Sequence, residues 1–234
     1  MKGNRKYWRS VVVWSIGFVL GFVVATPPVP ADDDGAQVIS PTSKKAPHSY
    51  QELAGDWWNW AVQFPFATNP INEDGSVDCT RGQQGKIWFL AGTFGETVER
   101  DCMIPEGKSL FFPIVNALFW VPEDGADVAA VRAGANAQIN LTTFLEVIID
   151  GVVIADPFAY RAQSPPGGFA LNFGPLLADF GYGPTPDPRD PAVADGYWIL
   201  LAPLQEGEHV IVFRSNLPGF NDVTYHLTVG NDDD

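Results

Sequence analysis

Glycine and proline recur along this chain of 234 residues and divide it into short segments. The sequence holds 23 glycines and 20 prolines, and both residue types destabilise a helix when they fall inside it. Long coiled coils and helical repeats are therefore excluded. Between the breakers lie runs of aromatic and β-branched residues, which favour strands. A disordered chain is also excluded, because 46% of the residues are hydrophobic and only 18% are charged.

Several of these runs carry specific strand signals. Residues 223–229 (VTYHLTV) alternate strictly between apolar and polar side chains, which predicts a strand with one buried face. Asp150 and Gly151 lie between two β-branched runs and predict a two-residue hairpin turn. Pro113 requires an edge position or a bulge in its strand, because proline donates no ladder hydrogen bond. The remaining strands are predicted over residues 85–92, 109–116, 197–202 and 208–214, the last two as one strand pair.

Two helices interrupt the strand pattern. The first is predicted over residues 48–64, where Ser49 and Glu52 have the spacing of a capping box. The second is predicted over the alanine-rich residues 123–139. Residues 164–195 are rich in proline and glycine and are interpreted as one long loop, which in a compact domain is usually functional or mobile. The predicted fold is mainly β: a single-domain, jelly-roll-like β-sandwich with two short helical insertions.

The N-terminal segment has the pattern of a secretory signal peptide. Four basic residues and no acidic ones precede an uncharged apolar run, residues 11–25, which is shorter than the roughly 20 residues of a membrane span. Cleavage after Ala31 fits the small-residue rule, and an uncleaved membrane anchor is the alternative. The predicted organisation is a signal peptide (1–31), a flexible linker (32–47), the β-sandwich domain (48–230) and an acidic tail (231–234). The protein is expected to be secreted, periplasmic or on the cell surface, and free of the membrane after cleavage.

The chain is strongly acidic. Its formal net charge is −14, and removal of residues 1–31 with their four basic side chains would make it −18. Nucleic acid is therefore not an expected partner. Asn72, Asp74 and Asp78 concentrate oxygen ligands around Gly75, which suggests a weak calcium site. An ordinary hydrophilic turn is the alternative, and no other cofactor is expected.

The two cysteines, Cys79 and Cys102, are predicted to form a disulfide bond. An even pair in an exported chain favours this, because the compartment permits oxidation. Metal binding or thiol chemistry lacks neighbours, since there is no Cys-x-x-Cys and no histidine nearby.

No pattern in the sequence identifies a catalytic residue. The chain has three histidines and no Gly-x-Ser-x-Gly nucleophile motif. A pair of carboxylates could hydrolyse a glycoside, but the sequence does not show which acids are close together. The candidates are Glu96, Glu99, Asp101, Asp156 and Asp195.

Several motifs resemble a group of exported bacterial and archaeal proteins that is uncharacterised. They are Trp57-Trp58-x-Trp60, the segment from Gly82 to Gly92, residues 102–116 (CMIPEGKSLFFPIVN), and residues 195–198 with 207–209. The resemblance covers about residues 48–230. It implies export and a single domain, and it implies no activity or substrate.

Aromatic side chains favour a binding function, because their faces can stack on sugar rings. The expected site is a cleft between a sheet and the 164–195 loop. Tyr182 and Trp198 would stack there, and Asn116, Arg161 and Asp195 would hydrogen-bond a small molecule or glycan. The predicted function is a secreted, non-catalytic carbohydrate-binding protein. The alternatives are a carboxylate-based polysaccharide hydrolase or lyase, and a structural protein of the cell surface or matrix.

Overall fold

The structure, a computed structural model, describes residues 36–43, 48–217 and 220–230. All of these residues belong to one compact unit, Asp34–Asp234. The predicted signal peptide and acidic tail lie outside the described residues. Across the described ranges, no helix is both long enough and apolar enough to cross a membrane.

The described residues form twelve strands and three α-helices. The strands are β1 (Val38–Ile39), β2 (Gly75–Ser76), β3 (Ile87–Phe89), β4 (Thr97–Ile104), β5 (Ser109–Trp120), β6 (Leu145–Ile149), β7 (Val152–Val153), β8 (Arg161–Gln163), β9 (Phe169–Leu171), β10 (Arg189–Leu201), β11 (Gly207–Ser215) and β12 (Asn221–Val229). The helices are α1 (Tyr50–Ala61), α2 (Val128–Ile139) and α3 (Pro175–Asp179).

The strands build two six-stranded sheets, which confirms the predicted β-sandwich. The first sheet has the order β1-β10-β5-β3, and β8 and β9 also pair with β10. The second has the order β2-β4-β12-β11-β6-β7. Both sheets are mixed, because β3 pairs with β5, and β4 with β12 and β2, in parallel. The jelly-roll-like expectation did not include these parallel pairs.

The main core contains residues from both sheets. Every second residue of β12 is buried, which confirms the alternation predicted for residues 223–229. Phe112 of β5 stacks on Phe213 of β11 with ring centroids 4.9 Å apart. A second apolar cluster contains α1 residues and side chains of β5 and β10, such as Trp57, Phe111 and Trp198. The first sheet is therefore packed on both faces.

Helix α1 begins where the capping box predicted. The Ser49 hydroxyl accepts a hydrogen bond from the Glu52 N–H (3.2 Å), and the Glu52 carboxylate accepts one from the Ser49 N–H (3.0 Å). These hydrogen bonds lower the pKa of Glu52, because they favour its charged form.

Three further details of the prediction are confirmed. Asp150 and Gly151 form the turn between β6 and β7, and both have positive φ (51° and 78°). The register between β5 and β10 shifts next to Pro113, which gives the predicted bulge. Cys79 and Cys102 form a disulfide bond, with their Cα atoms 5.8 Å apart.

Other predictions need correction. Residues 197–202 and 208–214 do not pair, because they fall in β10 of the first sheet and β11 of the second. The apolar run in β10 is buried on both faces, whereas β11 alternates between more and less buried residues. The 164–195 segment is not one long loop, since it holds β9, α3 and the start of β10. Part of the predicted linker is ordered as β1, which pairs with Leu200 and Leu201 at the edge of β10.

Candidate functional site

The candidate site lies along a free edge of β5. Strand β3 pairs with β5 only from Ser109 to Phe111. From Pro113 onward, the edge of β5 opposite β10 has no partner strand among the described residues. Pro113 contributes to this, because it has no N–H to offer a neighbouring strand. The layers on either side of the sheet therefore enclose a space where a further strand would otherwise lie.

This space is a cavity of about 250 Å³. Its walls come from the β5 edge, from α1 and α3, from the segment after β3, and from β11 and β12. Most of the lining side chains are apolar, and they include Trp57, Val62, Ile71, Phe94, Pro113, Ile114, Val115, Leu118, Leu176, Leu177, Phe180, Phe213 and Val223. None of the lining residues carries a charge at neutral pH. An ionic ligand would therefore lose its hydration without gaining a charged partner.

Four polar atoms around the cavity lack hydrogen-bond partners. They are the indole N–H groups of Trp58 and Trp120, the amide nitrogen of Asn116 and the amide oxygen of Asn221. All four atoms are buried, and the described residues contain only three more of this kind, in Trp88, Thr142 and Arg189. Leaving a buried polar group unpaired costs about 1–3 kcal/mol. More than half of these unsatisfied side-chain atoms therefore belong to residues lining one cavity.

Helix α3 forms one wall of the cavity by approaching α1 closely. A Cβ atom on Gly174, which precedes α3, would lie 2.1 Å from the carbonyl oxygen of Val62. Glycine is therefore required for this approach. The N–H of Leu176 then donates to the same Val62 oxygen (3.3 Å). This contact brings Leu176 and Leu177 against the cavity.

The ring of Trp120 is held by the segment that follows α3. Tyr182 meets it edge-on with ring centroids 4.8 Å apart. The guanidinium of Arg189, which is fully buried, lies 5.7 Å from the centre of the same ring. Arg189 also pairs with Glu123 (3.3 Å) and donates to the Pro186 carbonyl. Trp120 is thereby fixed while its N–H has no partner.

A second buried arginine, Arg100 of β4, holds other parts of the lining in place. It is fully buried and donates to the carbonyl oxygens of Ile71 (3.0 Å) and Gly92 (3.0 Å), both of which line the cavity. Its guanidinium also donates to the Tyr225 hydroxyl (2.8 Å). These bonds satisfy carbonyl oxygens that lie outside the strands.

The five predicted ligand-binding residues do not share one place in the structure. Asn116 and Tyr182 line the cavity. Arg161 and Asp195 form an ion pair (2.7 Å) in which Asp195 is fully buried, and this pair raises the pKa of Arg161. Arg161 also donates to the side chain of Asn136 in α2 (3.1 Å). Trp198 is fully buried, stacks on Phe111 and donates its N–H to the Ala162 carbonyl.

Strand geometry explains why Asp195 and Trp198 do not share a site. Asp195 and Trp198 are three residues apart on β10, and side chains at odd separations point to opposite faces of a strand. The expected cleft containing all five residues is therefore absent: Asn116 and Tyr182 line the cavity, Arg161 pairs with Asp195, and Trp198 is packed with no face free for a ligand.

Sequence reasoning did not assign Trp58, Trp120 or Asn221 to the site. Trp58 did carry a signal, because it falls off the buried face of α1 and is only half-buried. Asn221 carried none, since a polar residue before an alternating strand is ordinary. The association of these residues depends on the end of β3, which the sequence does not mark.

The proposed calcium ligands lie apart from the cavity and have partners within the protein. Asn72 donates to the Phe66 carbonyl (2.7 Å), and Asp74 accepts from the Glu99 N–H (2.8 Å). Asp78 accepts from the Thr80 hydroxyl (2.6 Å), which lowers the pKa of Asp78. Within the described ranges, no group of three or more His, Cys, Asp or Glu side chains could hold a metal ion. Calcium binding stays a prediction.

Comparison with known proteins does not extend these observations. No protein-family model, curated protein or solved structure matches the chain. The resemblance to a group of exported bacterial and archaeal proteins therefore stays a prediction.

Proposed function

We propose that the protein is a non-catalytic binding protein that takes a small, neutral, mostly apolar ligand into the cavity beside β5. The observation that carries the proposal is the set of unpaired buried atoms in Trp58, Trp120, Asn116 and Asn221. A ligand that pairs with them would recover free energy that the empty protein lacks. Apolar pockets with a few polar groups are the usual form of small-molecule sites.

The chemistry of the lining favours one class of ligand. Three of the four unpaired groups are N–H donors and one is an acceptor. A carbonyl or ether oxygen on an apolar body suits this set, because it accepts hydrogen bonds and carries no charge. A cavity of 150 Å³ holds benzene, so the volume of about 250 Å³ suits about ten non-hydrogen atoms.

Carbohydrate was the class expected from the aromatic content, and it fits this cavity less well. A sugar carries a hydroxyl on most of its carbons, and each would need a partner once buried. The lining supplies few polar groups, and none is a carboxylate that could act as a general acid. Nothing in the cavity therefore favours the hydrolase or lyase alternative.

We also propose that the protein acts after export from the cytoplasm. The Cys79–Cys102 disulfide supports this, because such bonds persist in oxidising compartments. The signal peptide predicted from residues 1–31 supports it independently.

The test is calorimetric titration of the purified protein with 2-nonanone, which has ten non-hydrogen atoms and one carbonyl acceptor. The wild type should bind it. Leu118→Trp, which places an indole in the cavity lining, should abolish binding. The matched control is Leu141→Trp, since Leu141 is 64% exposed and does not line the cavity.

Two outcomes would overturn the proposal. One is an absence of 2-nonanone binding by the wild type at millimolar concentration. The other is equal binding by wild type and Leu118→Trp, which would locate the ketone elsewhere. Titration with neutral oligosaccharides forms a second arm, and binding that Leu118→Trp leaves intact would favour a glycan site outside the cavity.

A further inference from the structure

Three phenylalanines from separate segments meet at the surface beside the cavity. The ring centroids of Phe66, Phe94 and Phe180 lie 5.7 to 6.1 Å apart, and we call them the phenylalanine triad. Their side chains are 44%, 39% and 49% exposed, respectively. Together they leave on the order of 200–300 Å² of ring surface in water, taking a phenylalanine at about 200 Å².

The triad is continuous with the cavity. Phe94 and Phe180 line it, and of all the lining residues these two alone are exposed. Phe94 and Phe180 therefore extend the cavity lining to the protein surface. The N–H of Phe66 donates to the Asp179 carboxylate (2.7 Å), which holds the third ring against the end of α3.

Exposure by itself does not mark a binding surface. Phe144 and Phe220 also form an exposed stacked pair, with exposures of 40% and 54% and centroids 6.2 Å apart, and neither lines the cavity. The triad differs because Phe94 and Phe180 belong both to the triad and to the cavity lining. Apolar surface is therefore continuous from the triad into the cavity through these two rings. Contiguous apolar surface of this kind is typical of interaction sites.

We infer that the ligand is an elongated, neutral amphiphile whose polar end lies in the cavity and whose hydrocarbon chain leaves across the phenylalanine triad. This inference rests on the proposed function, because it assumes that the cavity is occupied. The polar end pairs with the donors of Asn116, Trp58 and Trp120. The chain covers ring surface that the free protein leaves in water.

Chain length separates this inference from a ligand that ends inside the cavity. Each methylene buried fully is worth about 0.8 kcal/mol, which is about a fourfold gain in affinity. A methylene lying on a half-exposed ring loses part of its contact with water, so we expect about a twofold gain for each.

The experiment measures the affinity of 2-heptanone, 2-nonanone, 2-undecanone and 2-tridecanone by quenching of tryptophan fluorescence. In the wild type, affinity should continue to rise beyond 2-nonanone, by about sixteenfold between 2-nonanone and 2-tridecanone, which has four more methylenes. In Phe66→Ser, which changes the triad without changing a lining residue, this rise should fall to about threefold or less. Phe144→Ser is the matched control and should keep the wild-type rise.

The outcomes distinguish this inference from the proposed function. Binding of 2-nonanone with no further gain for longer ketones would overturn the inference and leave the proposed function intact. A rise that Phe66→Ser does not reduce would also overturn it, because the chain would then follow another route. Failure of all four ketones to bind would overturn the proposed function itself.

Discussion

The two halves of β5 differ in how completely they are packed, and we call them the closed half and the open half. In the closed half, Ser109 to Phe112, β3 pairs with the strand as far as Phe111, and Leu110, Phe111 and Phe112 are 0% exposed and packed in apolar clusters. In the open half, Pro113 to Trp120, no strand of the described residues pairs with the same edge, which borders the cavity.

This difference in packing is one basis of the proposed binding function. An unfilled cavity and unpaired buried groups both lower stability, and the closed half shows that this chain can pack a strand fully. Natural proteins give up stability mainly at functional sites.

The largest expected effect comes from removing side chains on the two halves of β5. Phe112→Ala should lower the free energy of unfolding by about 3–5 kcal/mol, because it leaves a new cavity against Phe213. Leu118→Ala should cost about 1–2 kcal/mol, since Leu118 already borders empty space. Urea denaturation measures both values. Equal losses would show that the open half is packed as tightly as the closed half.

The next comparison concerns two asparagines. Asn69 is fully buried and satisfied: its amide nitrogen donates to the Ala61 (2.8 Å) and Phe64 (3.0 Å) carbonyls, and its oxygen accepts from the Ile71 N–H. Asn69→Leu should therefore destabilise the protein by about 2–4 kcal/mol, because it leaves these backbone groups unpaired. Chemical denaturation provides the measurement, and a cost below about 0.5 kcal/mol would contradict the assignment.

Asn116→Leu should have the opposite effect on stability. It removes an amide nitrogen that has no partner, so the free protein should gain about 0.5–1 kcal/mol. The affinity for 2-nonanone should fall about fivefold or more, because a donor to the ketone is lost. Denaturation and titration of the same variant test the two changes together. Loss of stability with unchanged affinity would show that Asn116 serves the fold and not the ligand.

The smallest effect is expected at the start of α1, which packs against the closed half through Trp57 and lines the cavity with Trp58. The lowered pKa of Glu52 means that its charge stabilises the fold above the ordinary glutamate pKa of about 4.3, and that this contribution is lost as the pH falls through the folded value. Wild type should therefore be slightly more stable than Glu52→Gln at pH 7, and the difference should be smaller at pH 3. Urea midpoints at the two pH values measure this, and a difference that does not shrink between pH 7 and pH 3 would contradict the account.

Local signals in the sequence were sufficient for much of the fold. Three of these signals depend only on neighbouring residues: the capping box of Ser49 and Glu52, the Asp150-Gly151 turn and the alternation of residues 223–229. The Cys79–Cys102 pair depends on one covalent constraint. The pairing of β10 and β11 was wrong because sheet membership depends on distant strands. Segments β1 and β9 were missed because strands of two or three residues show no periodicity.

The site was less predictable for the same reason. Asn116 and Tyr182 were singled out for their residue type and do line the cavity. Arg161, Asp195 and Trp198 were grouped with them but do not line it, and Asp195 and Trp198 point to opposite faces of β10. The cavity exists because β3 ends at Phe89 while β5 continues to Trp120. A difference in strand length becomes visible only when the two strands are paired.

A crystal structure of the protein soaked with 2-nonanone tests the central claim most directly. The account predicts density for the ketone in the cavity beside Pro113 to Trp120, with its oxygen within about 3.2 Å of the Asn116 amide nitrogen or of the indole N–H of Trp58 or Trp120. A cavity filled only by ordered water, with the ketone elsewhere or absent, would contradict it.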